Sequence, residues 1–283
     1  IWQIRRISKG CMSYIIASIT EKAAVVIDPT CGIDSVIDDL ISSYQLTISN
    51  VIDTHMHADH LSGATKIASK YNAQLSISSI ENYIIEGISP ESHSKIKRIA
   101  DGDRIKIGDE FYLEAIHTPG HTEGSMSFTL DINHAAVKDN QKLGAESNVS
   151  DHPLLLFTGD TLFVNGVGRP DLHNKAEQYT AHLYQTYQLK IFSMPDNTIV
   201  LPTHYSEIFS HNKLIFNSLK SIKQKLEDIT QSENSFSEYV SSNIPPQPMN
   251  YDKIVKINRN LISCETVLFR DLEAGPNSCG IRT

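Results

Sequence analysis

Short apolar runs and strict alternation dominate the first two thirds of the chain, and helical spacing dominates the rest. Residues 11–19 and 23–27 read as a strand pair turned at Thr20-Glu21-Lys22, with the second run stopped by Asp28-Pro29. Val36, Ile37, Leu40, Ile41 and Tyr44 recur at helical intervals and predict an amphipathic helix over 34–44. A strand at 50–53 follows, then a polar loop, a helix over 62–71 and a strand at 74–77. Residues 80–99 are mixed in pattern and read as including a helical piece. Asp101-Gly102 and Gly108-Asp109 bracket strands at 104–107 and 111–116. Further strands are expected at 125–130 and 154–157. The stretch between them, 131–153, is polar and aperiodic, as a long loop would be.

From 175 onward the spacing changes. Tyr179, Leu183 and Tyr187 lie four apart. Ile215, Leu219, Ile222 and Leu226 make a second stripe, and Ile254, Ile257 and Leu261 a third. Pro245-Pro246-Gln247-Pro248 separates the last two. A strand at 198–201 ends at Pro202-Thr203-His204. The pattern divides the chain into an α/β domain, 1–210, and a helical C-terminal extension, 211–283, packed on it. No internal repeat closer than this coarse duplication of strands and helices is visible.

Composition narrows the function classes. The 283 residues carry a net charge of −8 and no Lys/Arg run, which argues against nucleic acid or an anionic membrane as partner. No apolar stretch approaches the roughly 20 residues that span a bilayer. No signal-peptide pattern is seen, and the expected location is cytoplasmic. Cys11, Cys31, Cys264 and Cys279 form no Cys-x-x-Cys pair, and none is near the polar loop in sequence. They read as reduced, mostly buried thiols rather than a zinc finger or disulfide framework.

The polar loop carries the chemistry. It reads His55-Met56-His57-Ala58-Asp59-His60, three histidines and an aspartate in six residues. Neutral imidazole and carboxylate hold zinc or iron at close to 2 Å. A rigid metal site draws ligands from several strand ends, and such positions are available. His121 stands in a Pro-Gly turn after strand 111–116, Asp160 in Thr158-Gly159-Asp160 after strand 154–157, and His204 after strand 198–201. His134 and His152, in the 131–153 stretch, match no such position and read as exposed loop residues.

In order and spacing, His-x-His-x-Asp-His, Thr118-Pro-Gly-His-Thr-x-Gly-Ser125, Thr158-Gly-Asp-Thr-Leu-Phe163 and Pro202-x-His204 resemble the metallo-β-lactamase superfamily over roughly residues 10–210. The resemblance implies an αββα sandwich with the site on loops at one edge. Two branches fit. A glyoxalase II-like thioesterase would hold two Zn(II), one on His55, His57 and His121 and one on Asp59, His60 and His204, with Asp160 bridging. A persulfide dioxygenase would hold one Fe(II) on His55, His121 and Asp160, with His57, Asp59, His60 and His204 orienting the ligands.

Gly168-Arg169-Pro170-Asp171-Leu172 resembles the dioxygenase branch, as do the Pro245–Tyr251 and Leu272–Cys279 stretches of the tail. That branch implies a thiol persulfide and O2 as substrates, and dimers are common in the family. Asp59, Arg169 and Tyr205 are the further residues expected to act at the site, Arg169 by bracing the metal loop through Asp171 or a backbone carbonyl. In the dioxygenases a tyrosine lies two residues past the matching histidine. Here that position is Ser206, and Tyr205 follows His204 directly. Cys279 is read as an incidental terminal thiol, with a persulfide-carrying role as the alternative.

Overall fold

The computed structural model describes residues 1–81, 95–132, 152–172, 175–205, 214–259, 269–273 and 279–282. Two six-stranded sheets form the frame. The first runs β1 (Trp2–Arg6), β2 (Cys11–Ser18), β3 (Ala23–Ile27), β4 (Thr47–Ile52), β5 (Gln74–Ser78), β6 (Ile96–Ile99) in that order. The second contains β7 (Arg104–Ile107), β8 (Phe111–His117), β9 (Met126–Leu130), β10 (Leu155–Gly159), β13 (Ile199–Pro202) and β14 (Asn217–Ser218), ordered β14-β13-β10-β9-β8-β7. A small third sheet joins β11 (Leu162–Phe163), β12 (Gly166–Gly168) and β15 (Gly280–Arg282).

Successive side chains on a strand face opposite sides, and here both sides are buried. Tyr14, Val25, Phe128 and Phe157 fill the space between the sheets, while their neighbours Ile15, Val26 and Leu156 face outward into helices. Helices α1 (Asp34–Tyr44) and α2 (Ala64–Lys70) cover the first sheet through Ile37 and Ile67. Helix α3 (Ala176–Thr186), its π-helical continuation Tyr187–Ile191, α4 (Leu219–Thr230) and α5 (Glu233–Asn243) cover the second. The result is the αββα layering the sequence predicts.

The differences from expectation are local. Residues 96–99 of the mixed stretch form a strand that pairs in parallel with β5, and the helical piece expected within 80–99 falls on residues 82–94, outside the described residues. Strands β1, β11 and β12 lacked a periodic signal because they are short or Gly-rich. Ile215 lies ahead of the helix its stripe suggested and packs between the sheets. The extension after residue 210 also adds strands: β14 to the edge of the second sheet and β15 to β12. Helices α6 (Tyr251–Asn258) and α7 (Phe269–Leu272) complete it. No helix among the described residues is long and apolar enough to cross a membrane.

Candidate metal centre

The His55–His60 loop leaves β4 and enters α2, so it is anchored at both ends by packed elements. His121, Asp160 and His204 follow β8, β10 and β13. The fold thus carries all seven ligand-type residues to one edge of the sandwich, and each is 2% exposed or less. The close approach of the loops needs glycine. Gly159 has φ +55, and a Cβ there would stand 2.5 Å from Thr54 Oγ1. A Cβ on Gly168 would stand 2.2 Å from the Asp160 carbonyl oxygen.

Within the cluster the side chains sort into groups. His55 Nε2 and His121 Nε2 lie 3.6 and 3.8 Å from Asp160 Oδ2, and potential ligand atoms of these three residues are mutually within 4.8 Å. A second group brings Asp59, His60 and His204 together with Cys11, and a third brings Asp160 and His204 together with Cys279. His57 belongs to none of these three and forms a fourth group with Asp28 and Asp53. Its Nε2 lies 3.3 Å from Asp28 Oδ1 and 3.9 Å from Asp53 Oδ1.

Hydrogen bonding fixes which imidazole nitrogen faces inward. His121 Nδ1 donates to the Arg169 carbonyl at 2.9 Å, His60 Nδ1 to Asp59 Oδ1 at 2.8 Å, and His204 Nδ1 to both Asp160 oxygens at 2.7 and 2.8 Å. His55 Nδ1 contacts Thr54 Oγ1 at 2.8 Å, and Thr54 in turn donates through both its N–H and its hydroxyl to Asp28. A metal-binding histidine commits its other ring nitrogen to an oxygen in this way. Among the described residues, both ring nitrogens of His57, Nε2 of His60, His121 and His204 and Oδ2 of Asp59 make no hydrogen bond although they are buried. Buried polar atoms are rarely left so. The donor set, nitrogen and oxygen with thiols at its edge, fits a borderline divalent cation such as Zn(II) or Fe(II).

The electrostatics agree with that sorting. Burial opposes the charge on Asp160, but His204 and His55 outweigh it and hold the carboxyl well below its usual range. Burial likewise opposes protonation of His204, and Asp160 and Asp59 overcome it, leaving its pKa well above the ordinary value. Burial and the neighbouring His55 push His121 down to about 3, and burial with His57 pushes His60 down to about 4. Both are therefore neutral donors at pH 7. His57 moves the other way. Burial opposes it, but Asp28 and Asp53 raise it to about 9.

A family model described as the metallo-beta-lactamase superfamily matches residues 8–137. Residues 8–137 carry the metallo-beta-lactamase superfamily pattern. The chain is 27% identical over 251 residues to the mitochondrial persulfide dioxygenase ETHE1 of Bos taurus, covering 88% of this chain and 84% of that one. It is 28% identical over 232 residues to hydroxyacylglutathione hydrolase of Dictyostelium discoideum, covering 78% and 75%. The solved structure of a metallo-beta-lactamase from Staphylococcus aureus superposes with a TM-score of 0.75 at 27% identity, over 91% of this chain and 71% of that one.

Around the centre, Arg169 is wholly buried. It makes a two-pronged ion pair with Asp171 at 2.7 Å on each arm and donates to the carbonyls of Pro245 and Pro246 at 2.8 and 2.9 Å. Its own carbonyl is the one that holds His121. Asp59 lies between His60 and His204, 3.3 Å from His204 Nε2. Tyr205 is half-buried and lines a cleft with Phe163, Val164, His204 and Ile281. His152 is exposed, while His134, Ser206 and Cys264 lie outside the described residues.

Cys11 and Cys279 are buried free thiols, as expected, but the fold brings both, distant from the loop in sequence, to the cluster. Cys11 pairs across a β-bridge with His204, and Cys279 stands beside Asp160 on the strand end that pairs with β12. Burial raises the pKa of both thiols, and Asp59 and Asp160 add to the effect at Cys279. Asp28, Asp53 and Asn258 were also missed. Asp28-Pro29 looked like a strand stop, and nothing near Asn258 in sequence points to the metal loop.

Proposed function

We propose that the protein is an Fe(II)-dependent dioxygenase that oxidises a low-molecular thiol persulfide, glutathione persulfide or a similar one, with O2 to sulfite and the free thiol. One metal per chain is held by His55, His121 and Asp160. The observation that carries this reading is the position of His57. Its ligand atoms group with those of Asp28 and Asp53, at 3.3 and 3.9 Å, and not with the His55, His121 and Asp160 set, which supports leaving His57 out of a first site. Two histidines and one carboxylate remain, a face that leaves Fe(II) open positions for O2 and the substrate sulfur. The likeness to a persulfide dioxygenase over 88% of the chain supports the same reaction class.

The reaction balances as persulfide, O2 and water giving thiol and sulfurous acid. The S–S bond breaks, the outer sulfur loses four electrons to O2, and the thiolate departs needing a proton. His204 is the group placed to hold that proton. It is hydrogen-bonded to Asp160 and borders the cleft that Tyr205 lines. Asp59 keeps His204 and His60 in register. Arg169 positions His121 through its carbonyl and locks the following loop through Asp171.

A second reading, a binuclear Zn(II) hydrolase of S-acyl glutathione thioesters, has its own support. Asp59, His60 and His204 also converge with atoms that lack hydrogen bonds, and a hydroxyacylglutathione hydrolase is among the relatives. Anaerobically purified protein, loaded with Fe(II) or Zn(II), separates the two. The dioxygenase consumes O2 and releases sulfite when glutathione persulfide is added. Hydrolysis of S-lactoylglutathione without O2 uptake would overturn that reading in favour of the hydrolase.

A further inference from the structure

The histidine loop is held from outside its own domain. Asn258, the last residue of α6, lies about 200 positions from the loop in sequence, yet its Nδ2 donates to the carbonyls of His57 and His60 at 2.9 and 2.8 Å. Its Oδ1 accepts from the N–H of Ser62 at 2.9 Å. The intervening N–H, that of Leu61, donates to Glu273 Oε1 at 2.6 Å, and the Glu273 carboxylate is ion-paired with Arg6. Two side chains from the C-terminal extension therefore engage four backbone groups of one six-residue turn.

The contact is also apolar. Leu61, Ile254, Ile257 and Leu272 form a separate buried cluster, so α6 and α7 plug against the loop at the point where Asn258 and Glu273 bond to it. A loop needs such partners because buried backbone groups left unpaired are costly. The geometry has a further consequence. Asn258 draws together the carbonyls of His57 and His60, and the chain between them carries Asp59. The direction of the His57, Asp59 and His60 side chains is therefore tied to one amide.

We propose that Asn258 is a positioning residue of the metal centre, with Glu273 as its neighbour in the same role, so that the C-terminal extension tunes cation affinity without supplying a ligand. The inference rests on the reading that the buried histidines hold a cation. An amide is required at 258 because only an NH2 group offers two donors to two carbonyls while the same side chain accepts from an N–H. Asn258→Asp keeps the shape and the acceptor but turns carboxylate oxygen toward two carbonyl oxygens.

The test is a competition titration of metal-free protein with Co(II) and Zn(II) against a chromophoric chelator, with the visible spectrum of the Co(II) form recorded alongside. Wild-type protein that binds neither cation overturns the metal reading itself, and this inference with it. If wild-type protein binds, Asn258→Asp is expected to weaken binding roughly 10- to 100-fold, as loss of a group that orients ligands does, and to shift the Co(II) ligand-field bands. Glu273→Ala, which removes only the Leu61 acceptor and the Arg6 partner, is expected to weaken it by a smaller factor, and it serves alone if Asn258→Asp fails to fold. Unchanged affinity and an unchanged Co(II) spectrum in the folded variants would overturn the proposal, whatever their thermal stability.

Discussion

His55 presents Nε2 to Asp160 at 3.6 Å, whereas His57, two residues further on, presents its own to Asp28 at 3.3 Å and Asp53 at 3.9 Å. Both are buried, both lie on one loop, and their rings are 4.3 Å apart. Residue type and spacing make them equivalent, but their surroundings do not. His55 gives its Nδ1 side to Thr54, a neutral hydroxyl, and keeps Nε2 for the centre. His57 faces two carboxylates, Asp28 and Asp53, which raise its pKa and favour its protonated form. On the proposed reading, what makes one histidine a ligand and leaves the other out is what its other neighbours are.

The largest effect that can break this comparison is on metal retention. Asp160→Ala or His55→Ala is expected to leave protein without bound metal and without activity, as read by elemental analysis after dialysis. His57→Ala is expected to keep the metal with affinity lowered about 10- to 100-fold. Equal loss in both variants would make the two histidines alike.

Asp28 comes next. It accepts from the Thr54 N–H and hydroxyl and from the Thr203 hydroxyl, and it faces His57. Asp28→Asn leaves a buried cation short of its partner, which costs on the order of 3–5 kcal/mol. Urea denaturation of the metal-free protein measures it.

A pH series sharpens the contrast further. His57 is raised in the fold to about 9 from an ordinary value of 6.5. Its protonated form therefore favours the folded state. That stabilisation is fully present below pH 6.5 and is lost as pH rises through about 9. Between those limits, metal-free wild-type protein should lose up to about 3 kcal/mol relative to His57→Gln. Parallel pH curves for the two proteins would mean that His57 is neutral throughout.

The smallest effect concerns His121, the other histidine of the proposed ligand set. Arg169→Lys cannot reproduce the paired contacts to Asp171 and the two proline carbonyls. The expected cost is about 2 kcal/mol of stability. The loosened carbonyl should also raise the metal off-rate, measured by chelator capture. A metal off-rate equal to that of wild type would detach Arg169 from the centre.

Much of this was legible in the chain. The strand ends that carry His121, Asp160 and His204 are marked by Pro-Gly, Thr-Gly and Pro-Thr turns, and α1 and α3 by regular apolar spacing. What was not legible depends on long-range pairing. Cys11 reaches the site through its bridge to His204, and Cys279 through the pairing of β15 with β12. Neither contact leaves a local signature. Strand β12 reads Gly-Val-Gly, which carries no strand propensity and is extended because β11 and β15 flank it. The split between His55 and His57 was equally hidden, since Asp28 comes from the end of β3 and Asp53, although it precedes the loop at the end of β4, looked like part of a strand.

Metal counting tests the central claim most directly. Protein purified without O2 and quantified for metal per chain should hold one equivalent, in wild type and in His57→Ala alike when the metal is in excess. Two equivalents in wild type, falling when His57 is replaced, would contradict a single centre built on His55, His121 and Asp160.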